Sequence, residues 1–116
     1  MSDENCVFCK IVDGSILAKV LLRNDHVVAF ADINPKAPAH ALIVPVKHIP
    51  SVTDIGPESA GLVGEMVKMA NDLADQLGVA QSGYRLVINC GPDAGQSVDH
   101  LHIHLLGGRK LAWPPG

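Results

Sequence analysis

Hydrophobic positions along this 116-residue chain fall into blocks with two different periods. Between Pro57 and Leu77, Leu62, Met66, Met69, Leu73 and Leu77 recur at steps of four, three, four and four, which lines them up on one side of an α-helix. The spacing predicts the main helix here. Pro57 suits its first turn and Gly78 its end, while Gly61 and Gly64 weaken the early turns by up to ~1 kcal/mol each. Elsewhere the apolar runs are short. KVLLRNDHVVAFADI (19–33) reads as two strands around the turn RNDH, and Val27, Val28, Ala29 and Phe30 give the second a buried character. ALIVPV (41–46) is a third strand, set apart by Pro35 and Pro38, which interrupt any ladder. YRLVINC (84–90) and HLHIHLLGG (100–108) are the last two, joined by the amide-rich loop GPDAGQS. CVFCKIV (6–12), closed by Asp-Gly, predicts one or two helical turns.

About five strands with short connections allow antiparallel pairing, and one long helix must cover a face of the resulting sheet. The expected class is α+β, with a short N-terminal helix, in a single domain over residues 1–116. Composition supports a globular chain, with 47% hydrophobic and 18% charged residues and no apolar run near the length of a membrane span. The acidic start MSDENCVF lacks the basic-then-apolar order of a secretory signal, and three cysteines are an odd number; both point to the reducing cytoplasm. A net charge of −3 argues against a broad nucleic-acid surface. An anionic ligand must therefore be held by local donors.

The 100–108 strand carries the chemistry. Alternation sends Leu101, Ile103 and Leu105 into the core and His100, His102 and His104 to the opposite face. Three imidazoles in a row can be a solvated face, or a metal site in which two of them share zinc with a third ligand. They can also be a nucleophilic centre in which a neutral imidazole attacks phosphorus and water later cleaves the phosphohistidine. A pKa near 6.5 suits the last role, and neighbouring imidazoles, loop amides and the Ser97 hydroxyl can support phosphoryl oxygens. Cys6 and Cys9 form Cys-x-x-Cys, spaced for zinc or for dithiol redox chemistry. The missing preceding strand disfavours a thioredoxin-like motif, and the bland reading is a pair of small buried hydrophobes. Cys90 reads as a strand residue.

HLHIHLL resembles the His-φ-His-φ-His-φ-φ signature of the histidine triad superfamily, φ being hydrophobic. The resemblance extends through FADINPKAPAH (30–40), GYRLVINCG (83–91), AGQSV (94–98) and the terminal WPPG, which together are similar to its purine nucleoside phosphoramidase branch. That resemblance implies hydrolysis of P–N bonds, as in adenosine 5'-monophosphoramidate, through a nucleotidyl-histidine intermediate with AMP as product. It also implies a homodimer whose sheets join. His102 would be the nucleophile and His104 would contact phosphate oxygens, with His40 and His100 supporting from the edge. Asn89, Gly95, Gln96 and Ser97 would bind phosphate, Ser97 also lying near the leaving group. Asp32 would accept from the ribose hydroxyls, although an Asp before INPKAP also suits a turn. Phe8, Ile11, Phe30 and Ile33 would sandwich the base, although Phe30 or Ile33 could be plain core. Trp113 would reach the partner subunit's site.

Some members of the superfamily, and the related galactose-1-phosphate uridylyltransferases, hold a structural zinc with such a cysteine pair and two histidines, which implies Cys6, Cys9, His48 and His100 here. A zinc-bound His100 cannot move protons, so the motif divides into a structural His100 and a catalytic His102; the chemistry itself needs no cofactor. Asp99 stands where relatives often carry a bulky residue, and Ala112 where some carry a polar one. The rival readings are a dinucleoside polyphosphate hydrolase or nucleotidyl transferase of the same superfamily, a zinc hydrolase, and a nucleotide-binding adaptor with incidental catalysis.

Overall fold

The computed structural model describes residues 3–116. The described chain forms helix α1 (Val7–Val12), strands β1 (Val20–Arg23), β2 (Val27–Ala31) and β3 (Ala39–Pro45), a 3-10 turn (Val52–Asp54), helix α2 (Ala60–Gln76), and strands β4 (Tyr84–Val87) and β5 (Ile103–Gly107). The expected α+β class and five-stranded antiparallel sheet are both observed, in the order β1-β2-β3-β5-β4. Asn24 makes the β1–β2 turn, its side-chain oxygen accepting from the backbone N–H groups of His26 (2.8 Å) and Val27 (2.9 Å).

β3 lies at the centre and is buried along its whole length, because opposite faces of the sheet meet different helices. Val27, Ala29, Ala41, Ile43, Ile103 and Leu105 face α2, where Met66, Met69 and Leu73 complete the larger core. The stripe predicted for the helix is the stripe that is buried. Val28, Phe30, Leu42 and Val44 face the other way and pack under α1 through Phe8, Cys9 and Val12. That helix has only 6 residues, so it covers one end of its face and leaves the rest for polar groups. No helix among the described residues is long and apolar enough to cross a membrane.

Several predicted boundaries move, each for a local reason. α2 begins at Ala60, leaving Pro57 in the preceding turn, because the Ser59 hydroxyl bonds back to Gly56, accepting from its N–H (3.0 Å) and donating to its carbonyl (3.3 Å). β3 starts two residues early, at Ala39 opposite Gly107. β4 ends at Val87 and β5 begins only at Ile103, so His100 and His102 precede the ladder. The Leu101 N–H donates instead to the Ile49 carbonyl at 2.6 Å. Leu101 is still 1% exposed and Ile103 1% exposed in the α2-facing core, so the predicted alternation survives where the ladder does not.

Truncating Leu73, which has no exposed surface, to alanine should cost about 2–5 kcal/mol in urea unfolding. Val67→Ala, on the same helix but 37% exposed, should stay within roughly 0.5 kcal/mol of wild type.

Candidate active site and metal centre

Strand alternation puts His40 on the α1-facing side of β3, beside Leu42, which is paired with His104 of β5. His102 lies one step upstream of β5, between Phe8 (ring centroids 5.1 Å) and His104 (5.1 Å). Three of the six histidines thus converge at the open end of this face: His40, His102 and His104.

Their protonation follows from fixed backbone partners. A carbonyl can only accept, so His102 Nδ1, 2.7 Å from the His100 carbonyl, carries its proton and leaves the Nε2 lone pair available. A backbone N–H can only donate, so His40 Nδ1, which accepts from Lys36 N at 3.0 Å, is bare and the proton sits on Nε2. That Nε2–H donates to His104 Nδ1 at 3.0 Å, with the Asp32 carboxylate 3.4 Å away. His104 is therefore left with its own proton on Nε2. Asp32, His40 and His104 are close enough for a metal, but a metal on His40 Nε2 would require an imidazolate, so the trio is a hydrogen-bond chain.

Burial disfavours the charged forms of His40 and His104. The His104 pKa is pushed down to about 4, by burial first and then by His102 and His40, against a small opposing pull from Asp32. His40 is lowered by burial and by Lys36, with Asp32 opposing.

His100, with no exposed surface, belongs to a second constellation. Its Nε2–H donates to the Pro45 carbonyl at 2.9 Å, so its Nδ1 lone pair faces Cys6 Sγ (3.2 Å) and Cys9 Sγ (3.5 Å). His48 likewise offers Nδ1 to Cys9 Sγ at 3.3 Å, with the Asp3 carboxylate 3.8 Å from its Nε2. The four donor atoms lie within 4.8 Å of one another. Around a tetrahedral zinc, neighbouring sulfur and nitrogen ligands sit about 3.5 Å apart, so the donor set fits such an ion, and both histidines have an acceptor behind the ligating ring. Cys6 also caps α1, accepting from Cys9 N at 3.4 Å.

The other expected residues divide. Asn89 lines one groove with His40 and His104. Ser97 lines a separate cleft with Cys6, Val7 and His48. Gln96 fastens its loop, donating to the Pro50 (2.8 Å) and Val98 (3.1 Å) carbonyls and accepting from Gly91 N (3.1 Å). Gly95, at φ +81, makes the turn that loop needs. Asp32 takes the turn role as well, accepting from Asn34 N at 2.8 Å. Phe8 and Phe30 are buried in edge-to-face contact at 5.5 Å, Ile11 is half-buried, and Ile33 is 90% exposed. Trp113 is 80% exposed, with the Arg85 guanidinium 6.0 Å from its ring. Sequence reasoning missed the Lys36 amide and the Pro45 carbonyl, which set the imidazole protonation and carry no side-chain signal.

A family model described as the HIT domain matches residues 13–111. The chain belongs to the HIT domain family. Among its HIT relatives, the purine nucleoside phosphoramidase of Escherichia coli K12 is 44% identical over 108 residues, covering 93% of this chain and 91% of that protein. A HIT family hydrolase from Legionella pneumophila superposes with a TM-score of 0.94 at 46% identity, covering 97% of this chain and 100% of the other. Another, from Clostridium thermocellum, gives 0.94 at 46% identity, covering 96% of each.

Because His40 and His104 resist protonation, the unfolded chain binds more protons than the folded one between about pH 6.5, the ordinary histidine value, and about pH 4. Stability should fall as pH drops through that window. Thermal melts of His104→Asn across the same range should show a shallower pH slope than wild type.

Proposed function

We propose that this chain hydrolyses the P–N bond of purine nucleoside phosphoramidates of the adenosine 5'-monophosphoramidate type, with His102 Nε2 as nucleophile. The observation that carries this is the bond from His102 Nδ1 to the His100 carbonyl, which makes Nε2 the unprotonated nitrogen. The phosphoramidase relative at 44% identity supports the substrate class.

In the first step the Nε2 lone pair bonds to the α-phosphorus and the P–N bond breaks, the nitrogen leaving as the free amine after taking a proton from solvent water. In the second, water adds hydroxide to phosphorus, the bond to Nε2 breaks, AMP departs, and the released proton restores the balance. His104 Nε2–H donates to a phosphoryl oxygen, held in that tautomer by His40, which is itself held by the Lys36 amide. Asn89, in the same groove, adds a donor to phosphate, and Ser97 and Gly95, on the loop that borders the neighbouring cleft, would supply further donors. The nucleoside lies toward α1, its base against the apolar edge of Phe8, Ile11, Phe30 and Ile33 and its ribose on Asp32.

A zinc ion held by Cys6, Cys9, His48 and His100 would supply structure, tying α1 to the segment after β3 and to the 100–102 segment. No chemical step uses it. The domain works as a homodimer in the cytoplasm; β4, half-buried along its length and paired only with β5 among the described residues, offers the edge that joins the two sheets.

With a fluorogenic adenosine phosphoramidate, His102→Ala should lose roughly 10³-fold or more in kcat/KM. Near-wild-type turnover would discard the proposal, and faster hydrolysis of diadenosine tetraphosphate would move the chain to the dinucleoside branch. Purified wild type should carry close to one zinc per chain and Cys6→Ser far less; negligible metal after expression with zinc and reduced thiols would remove the metal site.

A further inference from the structure

The acidic chain carries only nine Lys and Arg residues, yet three of them, Lys36, Arg85 and Arg109, line the groove that opens beside His104, and no Asp or Glu lines it. The groove is built rather than incidental. Arg109 donates from Nε (3.1 Å) and Nη2 (2.9 Å) to the Lys36 carbonyl, joining the chain after β5 to the loop before β3. Arg85 donates from Nη2 to the Ala112 carbonyl at 3.0 Å, fixing the C-terminal segment as the far wall. That bond uses one of the five guanidinium donors of Arg85, and Lys36 reaches the groove from a loop whose backbone already orients His40.

Position gives the groove its meaning. On the site face, α1 with Phe8 covers the β2–β3 side, while the groove runs over β5 and β4 on the other flank of His104. With the nucleoside toward α1, whatever else is bonded to the α-phosphorus extends into the groove. We propose that the groove is a subsite for an anionic leaving group, whose oxyanion is received by Lys36 and Arg85. This rests on the phosphoramidase reading of the site and names the leaving-group class it would favour. The oxyanion can be a carboxylate on the departing amine or a further phosphate. In the first case the bond changes are those already given: P–N breaks, the nitrogen gains a proton, and the carboxylate leaves unchanged with the amine.

The test compares AMP phosphoramidates of an amino acid and of its carboxamide, which have nearly the same shape but differ by one negative charge, an NH₂ donor replacing one carboxylate oxygen. Wild type should favour the carboxylate by about tenfold or more in kcat/KM, and the ratio should shrink with added salt. Lys36→Gln with Arg85→Gln should bring the ratio near one, Arg85→Lys should keep most of it, and Lys68→Gln, on the exposed side of α2, should leave it unchanged and so control for net charge. The same ratio read as Kd on His102→Ala protein needs no turnover, so failure of the chemistry and failure of the subsite are distinguishable. A second arm measures ADP against AMP binding to the same proteins. Discrimination in either arm that the double variant abolishes supports the subsite and identifies the oxyanion. A ratio of one in both arms, or ratios that survive the double variant, overturns it.

Discussion

The site depends on how residues 100–102 are held. They do not join the sheet; the Leu101 N–H reaches the Ile49 carbonyl and the His100 ring reaches the Pro45 carbonyl. Together these bonds dock the segment against the end of β3 and the residues that follow it. The first consequence is that the His100 carbonyl is free of ladder pairing and can fix His102 through Nδ1. The second is that His100 Nδ1 must face the two cysteines. Had the strand continued in register from residue 100, the carbonyl that orients His102 would be committed to a neighbouring strand.

Electrostatics follow from the same packing. A cluster of imidazoles this close could not be protonated together, and burial removes most of the solvent that would stabilise the charge. The His104 pKa sits at about 4, so at neutral pH it acts as a hydrogen-bond donor of defined direction rather than as a cation. Permanent positive charge lies instead in the groove beyond it, on Lys36, Arg85 and Arg109. The sheet separates labour by face: the α2 face is apolar and supplies stability, while the α1 face is covered by a helix too short to close it, which leaves room for chemistry.

Much of the fold was legible because its signals are local. The five-residue stripe from Leu62 to Leu77 and the alternation from Leu101 to Leu105 each report which side chains face the core, and Asn24 carries its own turn chemistry. Boundaries were less legible, since the ends of α2 and β5 are set by bonds from Ser59 to Gly56 and from Leu101 to Ile49, and hydrophobic pattern does not encode those. Within the site, grouping was more legible than placement. Cys6, Cys9, His48 and His100 do come together, but Ser97 and Asn89, close in sequence, line different clefts.

By itself the sequence determined that three histidines share a face, that their leucine and isoleucine neighbours anchor them, and that a cysteine pair stands ready at the start of α1. Side-chain type and period suffice for that. Tertiary structure alone decided which nitrogen of each imidazole is bare. The partners that decide it are the Pro45 and His100 carbonyls and the Lys36 amide, and because every residue carries such groups, only their placement in space distinguishes one histidine from the next.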